Sequence, residues 1–281
     1  MARLKISFIS YSLNREVDLT VILPSISCPD AMMNKHHEKN PEYPVLYLLH
    51  GYGNNHNGWT AYTNVEYFAE EHNVAVVMMS GENKSYYNHG TEDRFFDFIS
   101  EELPEYIESI LPVSSKPENK YIAGLSMGGY GALLHGLSNS RNYAAIGAFS
   151  AAVAPLNTGR KDDPMALAAD STVVEGFEPM TQNIMSDEEY AKLDLKLLAE
   201  KAVEEDRKIP VYMAVGDQDF LLGADTEFKD FLVEKGFDVT WDVISGYGHE
   251  WRFWNIQIEK FLDWIPRTDK YFKEYGPKRG I

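Results

Sequence analysis

The sequence predicts an α/β protein built on a mostly parallel central sheet with helices on both faces. Three observations carry that expectation: short runs that are apolar throughout, segments of helical spacing between them, and an alternating pair of strands at the start. A strand that is apolar on both sides needs cover on both sides, and in a parallel sheet the crossover helices supply it.

In chain order, residues 4–10 and 17–23 alternate apolar and polar side chains, as an antiparallel lead-in pair does. The buried-type runs follow: "VLYLLH" from Val45, "VAVVMM" from Val74, "YIAG" from Tyr121, "AAIGAFS" from Ala144, "VYMAVG" from Val211 and "VTWDVI" from Val239. Helical spacing occupies residues 65–71, 95–111, 127–137, 227–235 and 251–264. Between residues 155 and 209 the alternation is lost. The chain becomes acidic and irregular there, then gives a helix near 187–205. That stretch is too long for an ordinary connection and is expected to be a cap-like insertion within a single domain of residues 1–281.

Composition narrows the function classes. A chain of 281 residues, 44% of them hydrophobic, can bury a large core. Its 43 acidic against 26 basic residues leave a net charge of −17, which repels phosphate backbones and anionic membrane surfaces. No run approaches the roughly 20 apolar residues that span a bilayer. The first residues read as strands and not as a leader peptide. One cysteine, Cys28, rules out an intrachain disulfide and fits a reducing, cytoplasmic setting.

The stretch "YIAGLSMGGYGALL" sets Ser126 between a strand and a helix, with Gly124 two residues before it and Gly128 two after. A turn that reverses the chain so sharply crowds its neighbours, so glycine is needed on both sides and the serine takes a strained conformation that aims Oγ outward. The following helix points its unpaired N–H groups at the same spot. Ser126 is therefore the expected nucleophile.

A serine hydroxyl needs a base. On a strand–serine–helix turn of this kind the partners follow in the order serine, acid, histidine, which leaves His135 and His249. His135 lies nine positions along the same helix, roughly 13 Å away at ~1.5 Å per residue, and is better explained by packing. His249, in the loop "SGYGHEWRFW", is the expected base. The acid should leave a strand end between the two. "VYMAVGDQDFLL" offers Asp217 and Asp219, which spacing does not separate; the other of the pair is expected to cap a turn. For the oxyanion, the loop "HGYGNNHNGW" presents the amide of Tyr52, with the amide of Met127 as its partner. His50 is expected to brace that loop. Trp59, Tyr86 and Tyr87 come from loops at the carboxyl edge of the sheet and are candidate pocket walls, whereas Phe253 and Trp254 are expected in the core.

Four blocks, "PVLYLLHGYGNNHNGW", "YIAGLSMGGYGAL", "GDQDFLL" and "GHEWRFWNIQIEKFLDWIP", resemble in sequence order the esterase D family, in its bacterial tributyrin esterase branch with acetyl and feruloyl esterases. The resemblance implies an α/β-hydrolase fold, short-chain carboxylic esters as substrates, and no metal or organic cofactor. It places the catalytic acid on Asp219, the aspartate just before Phe-Leu, beside Ser126 and His249. Neither "HHE" at His36 nor "HEW" at His249 has metal-ligand spacing, and "GLSMGGYG" lacks the lysine of a phosphate loop. The partner expected is thus a small ester, with no nucleic acid and no membrane; a homo-oligomer stays open. Two alternatives are an S-formylglutathione thioesterase and a non-catalytic binding protein on a hydrolase scaffold.

Overall fold

The computed structural model describes residues 1–25, 42–156, 158 and 185–268. Cys28, His36 and most of the first half of the 155–209 segment lie outside the described residues. Among the described residues ten strands are present: β1 (Ala2–Ser10), β2 (Arg15–Leu23), β3 (Val45–Leu49), β4 (Ala75–Met79), β5 (Asn88–His89), β6 (Asp93–Arg94), β7 (Lys120–Leu125), β8 (Ala145–Phe149), β9 (Val211–Gly216) and β10 (Val239–Ile244). All but the two-residue ribbon β5–β6 join one eight-stranded sheet in the order β1-β2-β4-β3-β7-β8-β9-β10. The β1–β2 and β2–β4 pairings are antiparallel and every other pairing in that sheet is parallel. The expected architecture is therefore the observed one.

Alternation along the strands divides the apolar residues between two cores. On β3, Val45, Tyr47 and Leu49 face one layer and Leu46 and Leu48 the other. Helices α1 (Gly58–Tyr62), α2 (Val65–His72), α3 (Leu103–Ile110), α4 (Met127–Ser138), α5 (Asp187–Ala191), α6 (Leu195–Glu204), α7 (Leu222–Glu234) and α8 (Trp251–Trp264) complete the fold. The first core takes in α4 and α6 through Tyr130, Leu133 and Ala199, while α2 and α8 close the second through Phe68, Phe253 and Phe261.

The helix expected over 95–111 runs as an α-helical turn (Phe95–Asp97), a π-helical turn (Phe98–Glu102) and α3, and two other boundaries differ from the sequence reading. The single helix expected near 187–205 is two helices, because Asp194 caps a second start by accepting the N–H groups of Lys196 and Leu197. Ser186 and Glu189 form a reciprocal capping box at the first. Helix α7 begins at Leu222 and not near 227, extending back almost to the end of β9. Among the described residues, no helix is long and apolar enough to cross a membrane.

Because the parallel strands run the same way, the carboxyl ends of all six, β3, β4, β7, β8, β9 and β10, lie at one edge of the sheet. Ligands bind at that edge in open α/β sheets.

Candidate active site

Ser126 takes φ 54° and ψ −119°, a left-handed conformation that an L-residue adopts only under constraint. The constraint is local packing. A Cβ on Gly124 would stand 2.2 Å from the carbonyl oxygen of Gly128, and one on Gly128 would stand 2.5 Å from the Leu49 carbonyl oxygen. The strand, the bend and α4 thus close to distances that only glycine permits. Backbone bonds pin the bend: the Ser126 N–H donates to Phe149 O at 2.9 Å, and Ser126 O accepts from Ala152 N–H at 3.1 Å. Between Tyr121 and Leu137, Ser126 is the one residue that is not buried.

Three side chains meet at this point from three different loops. His249 Nε2 lies 3.0 Å from Ser126 Oγ. Its Nδ1 lies 2.9 Å from Asp219 Oδ2 and 3.2 Å from Oδ1. An ionised carboxylate only accepts, so Nδ1–H donates to Asp219 and Nε2 is left to accept the hydroxyl proton. The Asp219 side chain is fully buried, while 22% of the imidazole is exposed. Burial pushes the Asp219 carboxyl up, but hydrogen bonds from His249, the Leu221 N–H and Ser150, with the charge of the imidazole, outweigh it and hold the group below its ordinary value. It stays ionised where the imidazole needs it.

Asp217 has a different position. It accepts from Ser245 Oγ at 2.6 Å and from the Gly246 N–H at 2.7 Å, clipping the loop that carries His249. The aspartate that reaches the imidazole is Asp219.

The loop after β3 packs directly against the bend, with Gly51 so placed that a Cβ there would stand 3.3 Å from Ser126 Cβ. His50 is buried and bonds at both ring nitrogens: Nδ1 to Gly51 O at 2.7 Å and Nε2 to the Gly81 N–H at 2.8 Å. Since the Gly81 amide can only donate, Nε2 accepts and Nδ1 carries the proton. Burial lowers the His50 pKa to about 4, against the opposing pull of its bond to Gly51. The peptide between Gly51 and Tyr52 is therefore held by its oxygen, and the Tyr52 N–H of the same planar unit points the opposite way. Met127 opens α4, so its N–H is among the four without an intrahelical partner. A hydroxyl, an imidazole and a carboxylate in series, beside the Tyr52 and Met127 amides, can transfer an acyl group through a tetrahedral intermediate.

The three aromatics expected as pocket walls are buried instead. Trp59 donates from Nε1 to Leu49 O at 3.0 Å and packs edge-on against Phe149. Tyr86 donates its hydroxyl to His50 O at 2.7 Å. Tyr87 stacks on His89 at 4.0 Å. Tyr86 and Tyr87 belong to the first core and Trp59 to the second. His135 is also buried, between Ser100 Oγ and Tyr86 O, and Phe253 and Trp254 lie in the core as expected. What periodicity missed is Phe220, 54% exposed, with its ring 4.8 Å from that of His249. Its position directly after Asp219 was the available signal. Among the described residues no group of three or more His, Cys, Asp or Glu side chains is placed to hold a metal ion.

Comparison with known proteins agrees with this geometry. A family model described as "Putative esterase" matches residues 10–264. An acetyl esterase of Caldicellulosiruptor saccharolyticus is 34% identical over 272 residues, which cover 95% of this chain and 99% of that protein. Among solved structures, FphF, a fluorophosphonate-binding serine hydrolase of Staphylococcus aureus, superposes with a TM-score of 0.78 at 25% identity, covering 94% of this chain and 97% of the other. The S-formylglutathione hydrolase FrmB of the same organism gives 0.73 at 26% identity, over 94% and 98%. With the strand order, the strained serine and these matches together, this chain belongs to that esterase family of the α/β-hydrolases and is a carboxylesterase.

Proposed function

We propose that the enzyme hydrolyses short-chain acyl esters, acetyl and butyryl, or feruloyl-type esters, with Ser126 as nucleophile, His249 as general base and Asp219 as the orienting acid. The observation that carries the reading is the continuous relay from Ser126 Oγ to Asp219 Oδ2, 3.0 Å and 2.9 Å in its two links, at a bend where the serine alone is accessible. His249 takes the Ser126 proton as Oγ attacks the ester carbonyl, and Asp219 stabilises the imidazolium. The Tyr52 and Met127 amides receive the oxyanion, each worth roughly 3 kcal/mol of barrier. The protonated imidazole gives its proton to the departing alcohol. Water then repeats the sequence on the acyl-enzyme.

The acetyl esterase similar over nearly the whole chain supports the short acyl group. On this reading the chain is one domain with residues 155–209 as a cap-like insertion within it, working in the cytoplasm on a small ester. The similarity to an S-formylglutathione hydrolase favours a second substrate, a thioester. Against it stands the net charge of −17, which repels an anionic tripeptide.

A fluorophosphonate probe should label the wild type and not Ser126→Ala, and a panel of p-nitrophenyl acetate, butyrate and a feruloyl ester, run beside S-formylglutathione, ranks the substrates. Equal labelling of the alanine variant would remove Ser126 from the mechanism. A large preference for the thioester would replace the ester reading.

A further inference from the structure

The loop after β4 holds four non-glycine residues with positive φ in five positions: Glu82 at 47°, Asn83 at 57°, Ser85 at 48° and Tyr86 at 62°. Such conformations persist only where the surroundings over-determine them, and they gather at sites that need a group held in place. Glu82 is held by Arg15 on β2 and the Tyr86 carbonyl by His135 on α4, and three further anchors lie on the loop after β3. Gly81 N–H donates to His50 Nε2 at 2.8 Å and Tyr86 Oη to His50 O at 2.7 Å. Asn83, half-buried, accepts the Gly53 N–H on its Oδ1 at 2.6 Å, which is short for an amide bond. Behind the loop, Ser85 Oγ accepts the Leu156 N–H at 3.2 Å.

The consequence falls on Tyr52. The peptide before it is fixed by its oxygen, because Gly51 O accepts from His50 Nδ1 at 2.7 Å and from the Asn54 N–H at 3.3 Å. The peptide after it is fixed by its hydrogen, through Asn83. With both planes held, neither backbone torsion of Tyr52 is free to turn, and its N–H keeps one direction before any charge develops. Preorganised donors are effective because nothing has to reorient during the reaction.

We propose that Asn83 is a positioning residue for the oxyanion hole, locking the Tyr52–Gly53 peptide from a strained neighbouring loop so that the Tyr52 amide faces the tetrahedral intermediate. The proposal rests on the esterase reading above and adds a residue that touches neither substrate nor relay.

The test compares Asn83→Leu, which keeps the side-chain heavy-atom count and removes the acceptor, with Asn83→Gly, which removes the acceptor and relieves the left-handed strain. Each is assayed with p-nitrophenyl acetate and titrated with a trifluoromethyl ketone, which adds Ser126 Oγ to its carbonyl and puts an oxyanion in the same place. Both variants should lose about tenfold to hundredfold in kcat, the scale of a misplaced catalytic group, with KM within about twofold. Affinity for the ketone should fall by the same factor. The glycine variant should keep or raise its melting temperature while losing activity, which a purely structural role does not allow. Unchanged kcat and ketone affinity in the two variants, or a rise in KM alone, overturns the assignment of Asn83 and leaves the esterase standing. A wild type with no Ser126-dependent turnover would bring down the esterase reading and this proposal with it.

Discussion

His249 Nε2 stands 3.0 Å from Ser126 Oγ although 123 positions separate the two residues. One sits on the bend after β7 and the other in the loop after β10, three strands away across the sheet. The register of parallel strands brings both ends to the same edge. The link is therefore a property of the sheet, and each of the following tests disturbs a different part of what holds it.

Asp219 and Asp217 should separate sharply by mutation. Asp219→Asn leaves the volume but presents the wrong tautomer to His249, so kcat should fall by about 10⁴-fold with little change in KM. Asp217→Asn weakens the clip on Ser245 and Gly246 only, and a loss of about tenfold or less is expected. Steady-state kinetics on a p-nitrophenyl ester reads both; similar losses in the two would contradict the assigned roles.

Gly128→Ala places a methyl group 2.5 Å from Leu49 O and 2.6 Å from His50 O, both of them backbone atoms. Overpacking of that kind destabilises by about 1–3 kcal/mol, seen in urea unfolding. The displaced loop is the one that carries Tyr52, so activity at full folding should fall by more than about tenfold. An active, fully stable variant would show that the close approach is not needed.

Tyr86→Phe removes the hydroxyl that donates to His50 O and leaves a buried carbonyl without that donor. The expected loss of stability is about 1–3 kcal/mol. The relative rates on acetyl, butyryl and feruloyl esters should not change, because Tyr86 is buried. A shifted acyl profile would return Tyr86 to the pocket wall.

His50 and His135 are both buried, and burial lowers each from 6.5 to about 4 in the folded protein. The unfolded chain takes up these protons near the ordinary value. Between pH 6.5 and 4 it therefore binds more protons than the folded state, so the stabilisation is complete above about 6.5 and is lost as the pH falls toward 4. The two account for about 3 kcal/mol each. Denaturant titrations over that range should show the decline, and His135→Gln should reduce its slope by about half. An unaltered slope in the variant would remove His135 from the effect.

Much of this was legible beforehand, for identifiable reasons. Strands such as "VLYLL" are apolar at every position and announce burial on both faces. Gly124 and Gly128 announce Ser126 because a tight bend has few sequence solutions. The opposite happened with Trp59, Tyr86 and Tyr87. Their loops leave the correct edge of the sheet, but periodicity does not tell whether a loop side chain turns inward, and these three do. Phe220 turns outward over His249 from a position that spacing could not distinguish. The helix break at Asp194 was written in the sequence as a capping residue, yet apolar spacing on both sides concealed it.

By itself, the amino-acid order determined what residues a few positions apart can settle: which segments are strands, which are helices, and where one serine must be forced into an exposed bend. Spacing left Asp217 and Asp219 undivided and the family resemblance named Asp219; only the tertiary structure decided which aromatics are buried and that Asn83 grips Gly53 across 30 positions. Those outcomes depend on strand order and register, which place loops from distant strands side by side, and no short-range pattern of side chains carries that distance.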